Sequence, residues 1–309
     1  METYILGLDQ STQGTKGVLF DAQGKIVQRV DQPHRQIVNE KGWVEHDPEE
    51  IWQNVLWIVR ELLMKPGVDG RSIAAVGISN QRETAMAWDK ESGQPVYPAI
   101  VWQCARGAAI CDKIAAEPGW QEVVRSRTGL QLSPYFSAAK LAWILQNVPE
   151  ARMRMQAHQL CMGTMDSWLV YKLTGKKQFR TDASNASRTQ LFNIHTCAWD
   201  EEICACFGIA PAVLPEVMDS NACFGETDFA GLLPEPIPIH AVLGDSHAAL
   251  FGQGCHQPGM VKATYGTGSS VMMHIGQKPI QSQKGLVTSL AWQFDGRPEY
   301  VLEGNINYT

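Results

Sequence analysis

The segment Leu8-Asp9-Gln10-Ser11-Thr12-Gln13-Gly14-Thr15-Lys16 carries the clearest structural signal in this chain. The apolar run at residues 4–8 predicts a strand that ends on the carboxylate of Asp9, and the apolar run at 18–20 predicts the strand that follows. A tight hairpin rich in Gly, Ser and Thr directs backbone N–H groups and hydroxyls toward one place, which suits an anion. A carboxylate beside such a hairpin suits Mg²⁺ binding or proton transfer.

A second segment contains the same kinds of residue in a different order. The apolar run at 239–243 leads to Asp245, and Tyr265-Gly266-Thr267-Gly268-Ser269 lies between strands predicted at 261–264 and 271–275. Two anion-binding hairpins, each with a nearby carboxylate, indicate phosphoryl transfer from a nucleotide held between two lobes. The sequence contains no G-x-x-x-x-G-K-[ST] motif, which excludes a P-loop kinase.

Length and composition limit the classes of protein to which the chain can belong. Its 309 residues are 44% hydrophobic and 19% charged, which is typical of a globular chain with one large domain or two. A net charge of -6 without a cluster of Lys and Arg argues against nucleic-acid binding. The acidic Glu2 is followed by no signal-peptide pattern, and no apolar run is long enough for a bilayer, so we expect a cytoplasmic protein without membrane contact. The eight cysteines lack paired metal-binding spacing and are interpreted as reduced thiols.

The periodicity of the apolar residues predicts a mixed α/β chain. Strands at 4–8, 17–21 and 25–30 would form a β-meander. A helix follows, with Asp47 as its N-cap and Glu50 completing a capping box. Its apolar residues recur at helical spacing and should face a sheet; they are Ile51, Val55, Ile58, Val59 and Leu62.

The rest of the chain continues the α/β pattern. A buried strand at 73–78 leads to a polar segment, residues 105–165 are predominantly helical, and a further helix occupies 165–173. A second β-meander begins at residue 261, and no helix follows it. Because a meander needs a layer that covers its apolar face, the chain is interpreted as a fragment of a longer protein.

Several longer motifs resemble those of the FGGY carbohydrate kinases, and most closely those of the glycerol kinases among them. The resemblance extends from Tyr4 to Gly304. It rests on the following motifs: Asp9-Gln10-Ser11-Thr12, Gly42-Trp43-Val44-Glu45-His46-Asp47-Pro48, Asn80-Gln81-Arg82-Glu83-Thr84, Val101-Trp102-Gln103-Cys104, Tyr135-Phe136-Ser137-Ala138-Ala139-Lys140, Asn185-Ala186-Ser187-Arg188-Thr189, Gly244-Asp245 and Tyr265-Gly266-Thr267-Gly268.

The resemblance implies an actin-like, ribonuclease-H-like fold with two α/β lobes, each a mixed β-sheet flanked by helices. Residues 1–247 would form the N-terminal, acceptor-binding lobe. Residues 248–309 would form only the opening β-meander of the C-terminal, nucleotide-binding lobe. The cleft between the lobes would hold ATP and its acceptor.

The resemblance also implies roles for individual residues. Asp245 would be the general base that accepts the proton of the acceptor hydroxyl, although the residue pattern alone equally allows it to N-cap a helix at 248–252. Asp9 would hold Mg²⁺ through water; its alternative is a turn residue at a strand end. The phosphates of ATP would lie against two hairpins, formed by Thr12, Gln13, Gly14, Thr15 and Lys16 in one and by Gly266, Thr267 and Gly268 in the other.

The acceptor site would combine polar and aromatic side chains. Arg82 and Glu83 supply a donor and an acceptor for adjacent hydroxyls, and a solvated ion pair is their alternative. Trp102 and Tyr135 would form an apolar wall, unless they are simply core residues. Ser246, beside Asp245, would also contact the acceptor.

One departure from the glycerol-kinase pattern affects the identity of the acceptor. Those kinases carry Gln after the base, whereas this chain carries Ser246. A shorter side chain enlarges the pocket and leaves room for a tetritol or a ketopentose. The sequence therefore predicts an ATP-dependent, Mg²⁺-requiring kinase for a hydroxyl of a polyol or sugar. A truncated, non-catalytic polyol-binding module stays open as the alternative, and so does a homo-oligomer.

Overall fold

The computed structural model describes residues 3–265 and 268–307. In chain order, the strands of these residues are β1 (Tyr4–Gln10), β2 (Gly14–Phe20), β3 (Ile26–Pro33), β4 (Ile37–Val38), β5 (Val44–His46), β6 (Ile73–Asn80), β7 (Ala85–Asp89), β8 (Ala99–Ile100), β9 (Leu160–Thr164), β10 (Arg180–Asp182), β11 (Phe192–Asn193), β12 (Ala198–Trp199), β13 (Glu216–Met218), β14 (Glu226–Thr227), β15 (Ile237–Gly244), β16 (Val261–Thr264), β17 (Gly268–Gly276), β18 (Val287–Phe294) and β19 (Arg297–Asn307).

Helices connect these strands. They are α1 (Pro48–Leu63), α2 (Ala108–Ala116), α3 (Trp120–Thr128), α4 (Ser137–Asn147), α5 (Pro149–Gln156), α6 (Met165–Leu173), α7 (Ala183–Ala186), α8 (Glu201–Cys206) and α9 (Asp245–Gly252), with 3₁₀ turns at Gly70–Ser72 and Pro211–Val213. Within the described ranges, none of them has both the length and the apolar character that crossing a bilayer requires.

The largest sheet has the strand order β14-β15-β6-β1-β2-β3. Strands β1, β2 and β3 form the predicted meander, whereas β1, β6 and β15 run parallel. Helix α1 packs against this sheet, and its predicted apolar residues are all buried. The approach is close at Gly17, where a Cβ atom would lie 2.4 Å from Cγ2 of Ile58. The parallel arrangement brings the carboxyl ends of three strands to the same edge of the sheet.

The N-terminus of α1 confirms one part of the predicted cap and corrects another. Asp47 accepts hydrogen bonds from the backbone N–H groups of Glu49 and Glu50, as an N-cap does. The capping box is wrong, because the Glu50 carboxylate accepts from Arg35 instead, with Nε at 2.9 Å. A nearby guanidinium is a stronger partner for a carboxylate than a neutral N–H group is.

A second sheet, of order β4-β5-β8-β7-β9, corrects the helical prediction for residues 105–165. Helices α2 to α5 do lie in this region, but residues Leu160–Thr164 form strand β9, which pairs with β7. All five residues of β9 are buried. Because a short apolar run fits a buried strand as well as a buried helix, sequence periodicity cannot distinguish the two.

A third sheet contains the strands after residue 260, in the order β16-β17-β19-β18. It is not a simple meander, because β19 pairs between β17 and β18. Its apolar residues are covered on one side by Leu250 of α9 and on the other by the segment around Phe192 and Ile194. Both covering segments precede the sheet in sequence, and Val261 and Leu286 stay 52% and 40% exposed.

Candidate active site

Three polar segments meet at the carboxyl edge of the largest sheet. Asp9 lies near the end of β1, residues 81–84 follow β6, and Asp245 follows β15. The strand register pairs Asp9 with Ser79 and pairs Gly244 with Asn80, so the three strands end side by side. The two carboxylates are close enough that Asp9 contributes to raising the pKa of Asp245. In open α/β sheets this edge is where ligands bind.

Asp245 is the first residue of α9 rather than its N-cap. The N-cap position is taken by Gly244, and one oxygen of Asp245 accepts from the N–H of Ser246 at 2.6 Å. Thirty-nine per cent of the Asp245 side chain stays accessible, and the rest is covered by protein. This burial raises the pKa of Asp245; Arg82, whose Nε lies 3.3 Å away, opposes the shift, and Glu83 adds to it. A carboxylate with a raised pKa is suited to accept a proton.

Arg82 and Glu83 are not a solvated ion pair. Their side chains are only 5% and 2% exposed, and the closest contact between them, from Nε to Oε1, is 3.9 Å. Nη1 and Nη2 of Arg82 instead donate to the two carboxylate oxygens of Glu303, at 2.9 and 2.8 Å. Glu83 accepts from Nε of Arg188 at 2.6 Å.

Glu303 and Arg188 are functional candidates that the sequence reasoning did not identify. Both are fully buried, and Nη1 of Arg188 lies 2.9 Å from Oε2 of Glu303. Burial opposes ionisation of Glu303, but Arg188 and Arg82 outweigh it and hold the pKa of this carboxyl well below its usual range. One signal was present in the sequence: Glu303 interrupts the apolar strand run at 300–302, where a charge is unexpected. Arg188 belongs to one of the motifs that carry the family resemblance, and the sequence pattern predicts no role for it.

Trp102 and Tyr135, the predicted aromatic wall, are neighbours, and Trp102 also packs against the hydrophobic core. Both are half-buried, and their rings meet edge to face with centroids 5.6 Å apart. Nε1 of Trp102 donates to Oγ1 of Thr12 at 2.9 Å, which joins this wall to the first hairpin. The segment that carries Tyr135 is held by Lys140, whose Nζ donates to the carbonyl groups of Pro134 at 2.7 Å and Phe136 at 3.1 Å.

The first hairpin is tight and partly accessible. The N–H of Ser11 donates to the carbonyl of Gly14 at 2.8 Å, and a Cβ atom at Gly14 would lie 2.6 Å from the carbonyl oxygen of Gln32. Gln13 is exposed, whereas Thr15 is buried and its hydroxyl has no hydrogen-bond partner among the described residues. Thr12 accepts from Trp102 and keeps its own O–H group for another acceptor.

Lys16 and Asp9 face each other across this hairpin. Nζ of Lys16 lies 2.9 Å from Oδ2 of Asp9, and Ser79 donates to Oδ1 at 3.0 Å. In the second predicted hairpin, Gly266 and Thr267 lie outside the described residues. Gly268 begins β17.

Asp9 has the properties of a carboxylate that shares Mg²⁺ with a ligand. Each of its oxygens accepts one hydrogen bond, and 34% of the side chain is accessible. Across residues 3–265 and 268–307, no group of three or more His, Cys, Asp or Glu residues could hold a metal ion. This composition does not provide an all-protein cage, but it fits Mg²⁺ held by one carboxylate, water and phosphate oxygens.

Within α9, no residue after Asp245 is placed as a second base. His247 is fully buried, and its Nε2 lies 3.3 Å from Oγ of Ser289. Burial and the neighbouring Arg82 hold the pKa of His247 well below its usual range, so the ring is neutral. Ser246 is half-buried beside Asp245.

Comparison with known proteins matches the chain to a kinase family. The model of the N-terminal domain of the FGGY family of carbohydrate kinases matches residues 4–252. The glycerol kinase of Chromobacterium violaceum is 51% identical over 305 residues, which are 99% of this chain and 61% of that protein. Glycerol kinase 1 of Thermotoga maritima is 49% identical over 98% of this chain and 61% of its own length. The chain therefore spans about three fifths of the length of these relatives.

Solved structures agree with this match. The structure of Plasmodium falciparum glycerol kinase with ADP superposes with a TM-score of 0.93 at 35% identity, covering 99% of this chain and 61% of that one. Gluconate kinase from Lactobacillus acidophilus has a TM-score of 0.87 at 22% identity, over 99% and 60% of the two chains, and shows the fold alone. The predicted actin-like, ribonuclease-H-like α/β fold is confirmed. Since the family model matches well over half of its residues, the chain belongs to the FGGY family of carbohydrate kinases.

Proposed function

We propose that the protein contributes the acceptor site and the general base of an ATP-dependent kinase that phosphorylates a hydroxyl of a polyol or sugar. The observation that carries this proposal is the position of Asp245. It lies 3.3 Å from Nε of Arg82, at the strand edge that also carries Asp9. An acceptor hydroxyl at this place would meet a donor and a proton acceptor together.

Each group in the site has a part in this reaction. Arg82, Glu83 and Ser246 would bind the acceptor hydroxyls, while Trp102 and Tyr135 would pack against its carbon chain. Asp245 would take the proton of the attacking hydroxyl, which its raised pKa favours.

The phosphates would lie along the first hairpin. Its contributors would be Thr12, Gln13, Gly14, Thr15 and Lys16, with Gly266, Thr267 and Gly268 opposite them. Mg²⁺ at Asp9 would neutralise phosphate charge.

The proposal is tested by Asp245→Asn. Removing the base should lower the rate of phosphorylation by about 10² to 10⁴-fold, since general-base catalysis contributes an effect of that size. Acceptor binding should persist, because the amide keeps the shape of the carboxylate. The measurements are ADP release with glycerol, erythritol and xylulose as acceptors, together with calorimetric titration of each acceptor. Asp112→Asn, at an exposed position of α2, is the matched control. Unchanged turnover of Asp245→Asn would remove Asp245 as the base.

The acid side of the pH profile gives a second measurement of the same proposal. Because burial raises the pKa of Asp245, the rate should fall as the pH drops through a value above the usual range of an aspartate. A profile without this decline would contradict the role of Asp245.

A non-catalytic polyol-binding module is the second candidate. It rests on the polyol-binding candidates Arg82, Glu83, Trp102 and Tyr135, which are all present. Calorimetry separates the two candidates: a kinase binds both a polyol and a non-hydrolysable ATP analogue, whereas the module binds only the polyol.

The acceptor and the wider setting belong to the same proposal. The small side chain of Ser246 admits a tetritol or a ketopentose as well as glycerol, so the acceptor screen decides among them. We place the boundary between the two lobes after residue 247, which is supported by the separate sheets on either side of α9. A cytoplasmic location, the absence of nucleic-acid and membrane partners, and a homo-oligomeric state complete the proposal.

A further inference from the structure

Both terminal nitrogens of Arg82 are bound by a residue from a different sheet. Glu303 lies on β19, whereas Arg82 follows β6, and the two are 221 residues apart in sequence. The contact is bidentate, at 2.9 and 2.8 Å, and Glu303 is buried. Bidentate contact between a guanidinium and a carboxylate fixes the orientation of the guanidinium plane.

This contact determines which edge of the Arg82 guanidinium is not bound by Glu303. A guanidinium carries five N–H groups, and Glu303 occupies the terminal edge formed by Nη1 and Nη2. The side edge, formed by Nε–H and the second N–H of Nη2, is therefore the one directed at Asp245, with Nε 3.3 Å from Oδ1. The aliphatic part of Arg82 lies against Gly244, where a Cβ atom would be 2.7 Å from Cγ of Arg82.

Glu303 also determines the position of Glu83, through Arg188. One oxygen of Glu303 lies 2.9 Å from Nη1 of Arg188, and Nε of Arg188 donates to Glu83 at 2.6 Å. The guanidinium of Arg188 stacks 5.1 Å from the ring centroid of Phe136, next to Tyr135. Glu303 thus contacts Arg82, which is the proposed donor, and Arg188, which binds the proposed acceptor Glu83.

We propose that Glu303 is a positioning residue. By binding the terminal edge of Arg82, it turns the side edge toward Asp245 and so makes acceptor binding depend on the second lobe. The inference rests on the proposed function, because it concerns the same acceptor site. The ligand is a vicinal diol, whose adjacent oxygens match the two N–H groups of the side edge. Glu303 itself does not touch the diol.

Glu303→Gln tests the proposal, because the amide keeps the volume but loses the charge and one acceptor oxygen. The dissociation constant of glycerol, measured by calorimetry on the full chain, should rise at least about tenfold, as expected for a misdirected charged donor. The dissociation constant of a non-hydrolysable ATP analogue should change less than about twofold. Glu303→Asp keeps the charge but shortens the side chain, and should fall between wild type and Glu303→Gln.

The matched control is Glu299→Gln on the same strand. Glu299 binds His274 and Gln277 rather than Arg82, so glycerol affinity should stay at the wild-type value. A purely structural role of Glu303 would weaken glycerol and nucleotide binding together and would overturn the proposal. If Glu303→Gln does not fold, wild-type glycerol affinity in Glu303→Asp would overturn it equally.

A measurement without ligand separates this inference from the proposed function. The ¹H–¹⁵N resonance of the Arg82 Nε–H group, assigned by its loss in Arg82→Lys, should shift and exchange faster with water in Glu303→Gln. An altered resonance in a chain that binds no polyol would support the positioning by Glu303 and defeat the proposed function. If the wild-type chain binds glycerol but the resonance is unaltered in Glu303→Gln, the proposed function would be supported and the positioning by Glu303 would be overturned.

Discussion

Buried carboxylates in the cleft and in the core of this protein have opposite ionisation. In the cleft, Arg188 and Arg82 hold the pKa of Glu303 well below its usual range despite its burial. In the core, burial raises the pKa of Asp166 to about 7, and the nearby Asp182 adds to the shift, while hydrogen bonds from the hydroxyls of Thr164 and Thr181, both at 2.6 Å, oppose it without supplying a positive charge. Equal burial thus leaves one acid ionised and the other only partly ionised near neutral pH, and a cationic partner makes the difference.

This difference separates two kinds of polar residue that look alike in sequence. The cleft retains four charges in contact with one another, from Arg82, Glu83, Arg188 and Glu303. Charges kept in a dry site are costly, and they interact strongly with a ligand. In the core, Asp166 is instead held by hydrogen bonds from hydroxyls, with no cation beside it among the described residues. A shifted pKa therefore does not by itself mark a site in this protein; the cleft is distinguished by its arginine partners.

The largest expected effect comes from removing one cation of the cleft. Arg188→Met should lower the free energy of unfolding by about 3–5 kcal/mol, because it leaves Glu83 and Glu303 short of a buried partner. The measurement is urea denaturation followed by circular dichroism. Arg35→Met is the control: its pair with Glu50 is 75% exposed on the arginine side, and we expect a loss within about 1 kcal/mol. Equal losses of unfolding free energy in Arg188→Met and Arg35→Met would show that the buried ion pairs of the cleft contribute no more than an exposed pair.

The core carboxyl is tested through the pH dependence of stability. The pKa of Asp166 is about 7 in the folded state and 3.8 as an ordinary aspartate. Between these values the folded state holds a proton that the unfolded state has lost, so this group lowers the stability as the pH rises from 4 to 7. The full effect is on the order of 4 kcal/mol. Asp166→Asn should remove this decline, as measured by denaturation at a series of pH values.

Asp200 provides a control of opposite sign. Its pKa is lowered: burial opposes the shift, while the N–H of Ile203, the amide of Asn193 and Arg127 together outweigh it. Asp200 therefore stabilises the folded state above the ordinary aspartate pKa, and this stabilisation is lost as the pH falls through the lowered pKa. Asp200→Asn should flatten only the acid end of the curve of unfolding free energy against pH. If both variants changed the same pH range, the assignment of Asp166 would be wrong.

The smallest effect is expected at the half-buried carboxylate of Asp47, the N-cap of α1. Asp47→Ala should cost about 1 kcal/mol in unfolding free energy, because two backbone N–H groups at the start of α1 lose their acceptor. Asp47→Asn keeps an acceptor and should cost less. Glu50→Gln should leave the helix start unchanged, since Glu50 binds Arg35 rather than the N-cap; a loss equal to that of Asp47→Ala would restore the capping box.

Local pattern was sufficient for much of the fold. The capped start of α1, its buried face and the bounds of α6 follow from periodicity and end signals within a few residues. Strand β9 and the order of the third sheet did not follow, because pairing with a distant strand is decided by tertiary contacts. Sequence gives the apolar runs but not the neighbours to which they pair.

The candidate site divides along the same line. Local pattern places Asp9, Arg82, Glu83 and Asp245 beside apolar runs, but the roles predicted for them rest on the resemblance to the FGGY kinases. The partners of Arg82 and Glu83 could not be selected, since Glu303 and Arg188 come from segments far along the chain. Because Glu303 binds the terminal edge of Arg82, only the N–H groups of the side edge remain for the predicted acceptor contact. No local pattern could have revealed this.

The long separation between Arg82 and Glu303 has a consequence for biosynthesis. During translation every strand of the largest sheet leaves the ribosome before residue 303 does. Domains fold as their segments emerge, so the sheet can assemble while two guanidinium groups still lack their shared counter-ion. At that stage Arg82 and Arg188 have, among the described residues, only Asp245 and Glu83 as carboxylate partners, and we expect their orientation to become fixed when Glu303 joins them.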